Sequence, residues 1–222
     1  ADPAMADRVR RLGAEHDRVF VVRLGVDDVF LSGPPASVNL LPEDRQAPLI
    51  ISDRALEPLY NVDVILRAFA RLRQTLPQAR LVIANDGSQR RALQRLAVDL
   101  GQQDHVRFAG FLEAPDLKQE LEAAQVYVSV PDSDSLAIST MEAMAVGCFP
   151  IVSDLASQNG WIRQRVNGLR VPAGDVEMLA DALYEALLDP ALRRRAVAYN
   201  RAIVEQEGSL ERNMLAMERH YY

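Results

Sequence analysis

Short β-branched runs alternate with amphipathic helical runs along almost the whole chain, which restricts it to α/β architectures. The β-rich runs are Val19–Arg23, Leu49–Ser52, Leu81–Ala84, Val106–Ala109, Val126–Val130, Phe149–Val152 and Leu169–Val171. Several are continuously apolar rather than alternating, the pattern of parallel strands covered on both faces. Between them, Asn61–Leu76 places Val62, Ile65, Leu66, Phe69, Leu72 and Leu76 on one stripe, with Asn61 as its cap. Ser88–Leu100 carries Leu93, Leu96, Ala97 and Leu100, with Ser88 as cap and Gly101 as stop. Pro115–Ala124 and Asp134–Ala145 follow, and the last third reads as Asp175–Leu188, Pro190–Glu207 and Ser209–His220. Such alternation with right-handed crossovers predicts a doubly wound, Rossmann-like parallel sheet with helices on both faces and a helical C-terminal segment. The segment Pro34–Ala47 has no periodicity and reads as a loop. Residues 1–5, ADPAM, read as a cloning remnant, which leaves residues 6–222 as a single domain.

Apolar residues make up 49% of the 222 residues, enough for a substantial core. The net charge of −6 argues against a nucleic-acid binder, which needs a basic stripe. Arg90-Arg91 and Arg193–Arg195 are expected on solvated helix faces. The single cysteine, Cys148, allows no internal disulfide and reads as a small buried hydrophobe, consistent with a reducing, cytoplasmic setting. No apolar run reaches membrane-spanning length, and no secretory signal is visible. No cluster has metal-ligand spacing; neither a metal nor another cofactor is expected. His16, His105 and His220 sit in no constellation, and Trp161 is expected to pack a loop.

In an open parallel sheet, ligands bind beyond the carboxyl ends of the strands, near the point where strand order reverses. Four loops leave those ends, and they carry Arg54, Asp86-Gly87, Gly110-Phe111 and Asp134. The stretch VPDSDSLAISTMEAMAVGCFP, Val130 to Pro150, is the richest of them. Its loop holds Asp134 and its helix holds Glu142, eight positions later. Eight residues of helix rise about 12 Å, near the reach from ribose to hexose in an extended nucleotide-sugar. Exposed N–H groups at the helix start, around Ala137 to Ser139, would face a diphosphate between the two carboxylates.

Five segments carry a resemblance. RLGVDDVFL (Arg23–Leu31) resembles NGVD-x-x-x-F, and ISDRALEPLYNVDVILRAF (Ile51–Phe69) resembles S-x-R-x-L-x-x-x-YN-x-D. ARLVIANDGSQRRALQRLAVDLGQQDHVRFAGFL (Ala79–Leu112) resembles LVIVGDG…L…V-x-F-x-G. SDSLAISTMEAMAVGCFPIVSD (Ser133–Asp154) resembles an E-x7-E helix with aspartate first, and RVNGLRVPAGDVEMLADAL (Arg165–Leu183) resembles VNGLLVPPGD-x-x-x-LA-x-AL. In this order the segments are similar to the retaining GT-B glycosyltransferases of family 4, the glycosyl transferases group 1, over nearly the whole chain from Val19. Each motif is weak alone; the ordered set is specific.

The resemblance implies one of two Rossmann-like domains, the C-terminal one that binds the donor. The acceptor-binding N-terminal domain would be the missing partner, without which the fragment is inactive. It implies transfer of a hexose from a UDP- or GDP-linked donor with retention, in polysaccharide or glycolipid assembly. It also implies a cytoplasmic full-length enzyme with peripheral membrane contact. The last helices, from Leu192, would cross back to the other domain or mediate a homo-oligomer. Arg54, whose planar fork suits phosphate oxygens, would neutralise charge developing on the leaving diphosphate. Asp134 would contact hydroxyls of the donor sugar and Glu142 those of the ribose. By the resemblance, Gly87 would correspond to a close-approach glycine and Phe111 would lie beside the base, while Ser135, Leu136, Ala137, Ile138 and Ser139 would bring the helix start to the donor. Two departures stand out. The stretch Glu57-Pro58-Leu59-Tyr60-Asn61 lacks the family's lysine, and Gly160 stands where an acidic residue is common. Two other classes compete. A dehydrogenase domain needs G-x-G-x-x-G, which is absent; a non-catalytic interaction domain that has lost donor binding gains weight from the missing lysine, the aspartate in place of the first glutamate, and Gly160.

Overall fold

The structure, a computed structural model, describes residues 3–16, 19–20, 24–35, 47–135 and 138–219. Strands β1 (Leu49–Ser52), β2 (Arg80–Ala84), β3 (Val106–Gly110), β4 (Val126–Ser129), β5 (Phe149–Ser153) and β6 (Leu169–Val171) form one sheet. Every pairing is parallel, in the order β3-β2-β1-β4-β5-β6. The chain builds outward from β1 to β3, then returns to place β4 on the other side of β1. The switch point therefore lies between β1 and β4.

Helices α3 (Val62–Thr75), α4 (Arg90–Asp99) and α7 (Val176–Leu188) cover one face. Helices α2 (Asp28–Leu31), α5 (Ala114–Ala123) and α6 (Ile138–Val146) cover the other. Alternation along each strand divides the side chains between two cores. Ile50, Val126, Val128 and Ile151 face α3 and α7, while Ile51, Tyr127 and Val152 face α5 and α6. Phe69 and Leu66, on the expected stripe of α3, are fully buried. Burying such a side chain stabilises the fold by about 1.5–3 kcal/mol.

α8 (Pro190–Glu207) and α9 (Leu210–Glu218) return toward the start of the chain. The Val26 N–H donates to the Gly208 carbonyl at 2.7 Å, and the Leu210 N–H donates to the Val26 carbonyl at 3.2 Å. Gly25 makes this crossing possible, because a Cβ there would run into the backbone of Gly208 and Leu210. Arg201 of α8 then donates to the carbonyls of Leu31 and Ala145, at the ends of α2 and α6. Lys118 of α5 donates to the Ser32 carbonyl at 3.0 Å.

Several expectations need correction. Val19 and Phe20 form no strand, and Phe20 is 54% exposed, unlike a residue of a covered parallel strand. Residues 21–23 of that run and residues 36–46 of the expected loop lie outside the described residues. The first described element is α1 (Pro3–Arg11). Asn61 sits at the start of α3 in the left-handed region, φ 52°, and its side chain does not cap the helix. α4 begins at Arg90 after Gln89, because the Ser88 hydroxyl is taken by Glu57. α6 begins at Ile138, so Asp134 belongs to the preceding loop and the helical 12 Å path does not apply. Arg193 is not solvated; it is buried, where it donates to the Leu187 carbonyl at the end of α7.

Gly25→Ala is expected to destabilise the chain by about 1–3 kcal/mol through overpacking. In thermal unfolding this lowers Tm by about 2–4 °C per kcal/mol. Gly160→Ala, with nothing within 4 Å of the added Cβ, is the matched control and leaves Tm unchanged; equal losses would contradict the crossing described.

Candidate functional site

Strand β1 ends in a polar trio, Ser52-Asp53-Arg54, and the last of these reaches across the switch point. Arg54 Nη2 donates to Asp134 Oδ2 at 2.9 Å, and Nη1 donates to the Ser139 hydroxyl, also at 2.9 Å. The guanidinium carbon lies 4.4 Å from the centre of the Tyr60 ring, within cation–π range. Arg54 and Asp134 expose only 11% and 14% of their side chains, so this is no ordinary surface pair. Arg54 Nε has no partner among the described residues. A guanidinium this desolvated and incompletely paired favours a further acceptor.

Below the guanidinium, Tyr127 reaches up from β4. Its hydroxyl donates to Asp53 Oδ1 at 2.8 Å and lies 2.9 Å from the Ser139 hydroxyl. Burial pushes the Asp53 carboxyl up, against the pull of Tyr127 and Arg54. Burial and Asp53 together push the Tyr127 phenol up. Burial also raises the Asp134 carboxyl, with Arg54 acting in the opposite direction.

Three loops are clasped together around these groups. The Asn61 amide donates to the Val130 carbonyl at 3.1 Å and to Asp132 at 2.7 Å, which ties the β1 loop to the β4 loop. Glu57 accepts from the Ser88 N–H at 2.7 Å and from the Ser88 hydroxyl at 2.5 Å, which ties it to the β2 loop. These bonds hold the Glu57 carboxyl below its usual range. Gly87 is needed in the same clasp: a Cβ there would lie 2.6 Å from the Leu56 carbonyl oxygen. Its close approach is therefore to backbone of the neighbouring loop. Asn85, at φ 81°, donates to the Asp53 carbonyl at 3.0 Å. Asparagine is among the few non-glycine residues that adopt this conformation readily.

The loops enclose a cleft of about 360 Å³ at the carboxyl ends of β1 to β4. Arg54, Tyr60, Asn85, Ser139 and Glu142 line it, with Phe111, Leu112 and Leu117 as its apolar part. Phe111 is 69% exposed there. Glu142 projects from α6, whose other side chains Met141, Ala143 and Met144 are buried. Burial, reinforced by Asp53 and Asp27, pushes the Glu142 carboxyl up to about 7.

Arg54, Phe111, Ile138, Ser139 and Glu142 thus share one cleft, and Asp134 joins them through Arg54. Gly87 and Ser135 are not among its lining residues. Leu136 and Ala137 lie outside the described residues. Sequence reasoning missed Asp53, Tyr60, Asn85 and Tyr127. The available signals were the polar Ser52-Asp53 next to an apolar strand and a tyrosine between the two valines of β4. Among the described residues, no group of three or more His, Cys, Asp or Glu side chains could hold a metal ion. No helix among them is long and apolar enough to cross a membrane.

Comparison with known proteins assigns the class. Residues 38–203 match the family described as Glycosyl transferases group 1, and the chain belongs to that family. It is 31% identical over 188 residues to the GDP-mannose-dependent monoacylated alpha-(1-6)-phosphatidylinositol monomannoside mannosyltransferase of Corynebacterium glutamicum, covering 77% of this chain and 49% of that protein. It is 33% identical over 196 residues to the D-inositol 3-phosphate glycosyltransferase of Frankia alni, covering 83% of this chain and 48% of that one. The chain spans about half the length of these relatives. Its fold superposes on sucrose-phosphate synthase from Thermosynechococcus elongatus with a TM-score of 0.83 at 25% identity, over 100% of this chain and 56% of that one. It also superposes on Anabaena HepE in complex with UDP-glucose, with a TM-score of 0.82 at 18% identity, over 98% and 61%. The sheet and its flanking helices match one Rossmann-like half of a GT-B fold.

Holding Glu142 ionised in this cleft opposes folding. The unfolded carboxyl ionises near 4.5 and the folded one near 7, so stability from this group falls as pH rises between those values. Glu142→Gln is therefore expected to match the parent in Tm near pH 4.5 and to exceed it at pH 8. The gain is a few degrees, the scale on which about 1 kcal/mol shifts a chain of roughly 200 residues. A lower Tm for the variant at pH 8 would overturn this reading.

Proposed function

We propose that the cleft holds a nucleotide-sugar and that the chain is the donor-binding half of a retaining hexosyltransferase. One observation carries this: a largely buried guanidinium, Arg54, and a half-buried carboxyl, Glu142, line the same cleft at the β1–β4 switch point. In this reading the diphosphate replaces Asp134 as the main partner of Arg54, and its fork pairs two phosphate oxygens. The displaced Asp134 becomes available to hydroxyls of the sugar, while Glu142 accepts from the ribose. Phe111, with Leu112 and Leu117, offers an apolar surface to the base. As the bond to the sugar breaks, negative charge grows on the leaving diphosphate. Arg54 is fixed in advance beside it, so little reorganisation is needed.

Relatives named for GDP-mannose and structures solved with UDP-glucose support a nucleoside diphosphate donor without choosing the base. Retention rests on the family resemblance. Acceptor recognition, and any contact with a membrane, falls to a second Rossmann-like domain.

Calorimetric titration of the chain with UDP and GDP tests the proposal. Binding in the micromolar to millimolar range is expected for one of them, and none for NAD. Arg54→Ala removes one partner of a desolvated charge pair, about 2–5 kcal/mol, and weakens binding by about 30-fold or more. Glu142→Ala weakens it as well. A folded chain that binds no nucleotide would favour a non-catalytic interaction domain instead.

A further inference from the structure

We propose that Tyr127, with Asp53 behind it, is a positioning residue for the diphosphate-binding guanidinium. The inference rests on the reading of the cleft as a diphosphate site.

Tyr127 lies in the middle of β4, between Val126 and Val128, on the sheet face covered by α6. Its side chain is fully buried in a core that contains Ile51, Met141, Met144 and Val152. Phenylalanine would fill that space without a polar atom. A hydroxyl placed there is tolerated only when it is paired. Both of its partners lead to the cleft. Asp53, itself 8% exposed, is the residue before Arg54. Ser139, on the first turn of α6, accepts from Arg54 Nη1. The groups run in one line: Asp53 carboxylate, Tyr127 hydroxyl, Ser139 hydroxyl, Arg54 guanidinium, with successive separations of 2.8, 2.9 and 2.9 Å.

The line does two things for Arg54. It fixes the Ser139 hydroxyl, which otherwise rotates freely about its Cβ–Oγ bond, so that an oxygen lone pair meets Nη1. It also keeps the Asp53 carboxylate occupied by a neutral donor. Asp53 therefore lends its negative charge to the guanidinium from behind without taking its N–H groups, and no Arg54–Asp53 hydrogen bond is present among the described residues. When an incoming diphosphate displaces Asp134, Ser139 and Tyr60 are the contacts that keep Arg54 in place. Without Tyr127, Ser139 loses its anchor and Asp53 competes with the phosphate for the guanidinium. A network that served only the stability of the core would treat all ligands of the cleft alike. A positioning role acts through Arg54, so it affects ligands that carry phosphate and spares those that do not.

The test is Tyr127→Phe in the 222-residue chain, titrated calorimetrically with whichever of UDP and GDP the parent binds and with the corresponding nucleoside. Thermal unfolding and circular dichroism of the same samples report the fold. The expected result is a loss of about tenfold in affinity for the nucleoside diphosphate, with affinity for the nucleoside unchanged. Ser139→Ala, a half-buried position on α6, gives the same selective loss and stands in if Tyr127→Phe does not fold. Unchanged affinity for the diphosphate, or a parallel loss for diphosphate and nucleoside, overturns the positioning role alone. A parent that binds neither UDP nor GDP overturns the cleft reading and this inference together.

Discussion

A guanidinium held at the edge of water with part of its donor capacity unused is the interaction around which the carboxyl end of this sheet is arranged. Taking a cation out of water is costly, and a buried ion pair recovers that cost only with good geometry and further hydrogen bonds. Arg54 has both an ion pair to Asp134 and a bond to Ser139, with the Tyr60 ring against its face. None of these partners is local to Arg54 except Tyr60; Asp134 and Ser139 are 80 and 85 positions away. They meet because β4 returns to pair with β1, and because Asn61 and Glu57 lash the loops together above that junction.

The same corner is crowded with acids. Burial pushes the Asp53, Asp134 and Glu142 carboxyls up, and Arg54 pulls against it at Asp53 and Asp134. Hydrophobic side chains of similar size would give a more stable fold, as at many functional clefts. The instability is confined. On either side of the sheet, continuous apolar cores and the buried face of α6 hold the backbone that carries these groups. Even the crossing of residues 25–26 over Gly208 and Leu210 serves this end, since α2 and Arg201 brace α6 from behind.

The sheet was legible because its information is local. Apolar runs of strand length and the apolar stripe on α3 are set by neighbours in sequence, and the helices appear close to where periodicity places them. Ser88 and Asn61 misled for a shared reason. Each has the chemistry of a helix cap, but each is claimed by a partner in a distant loop, Glu57 and Asp132. Arg54, Phe111, Ser139 and Glu142 could be gathered in advance from loop convergence and motif resemblance. Tyr127 and Asp53 stood out only as polar groups beside apolar strand residues, and the fold was needed to show where the hydroxyl ends. Gly87 is glycine for a reason invisible in sequence, the backbone of Leu56.

The most direct measurement is a crystal structure of this chain with the nucleoside diphosphate that it binds. The account predicts phosphate oxygens on the Arg54 guanidinium, the Asp134–Arg54 pair opened, and ribose hydroxyls on Glu142. A ligand seated elsewhere, or a diphosphate in the cleft with Arg54 still paired to Asp134 and making no phosphate contact, would contradict it.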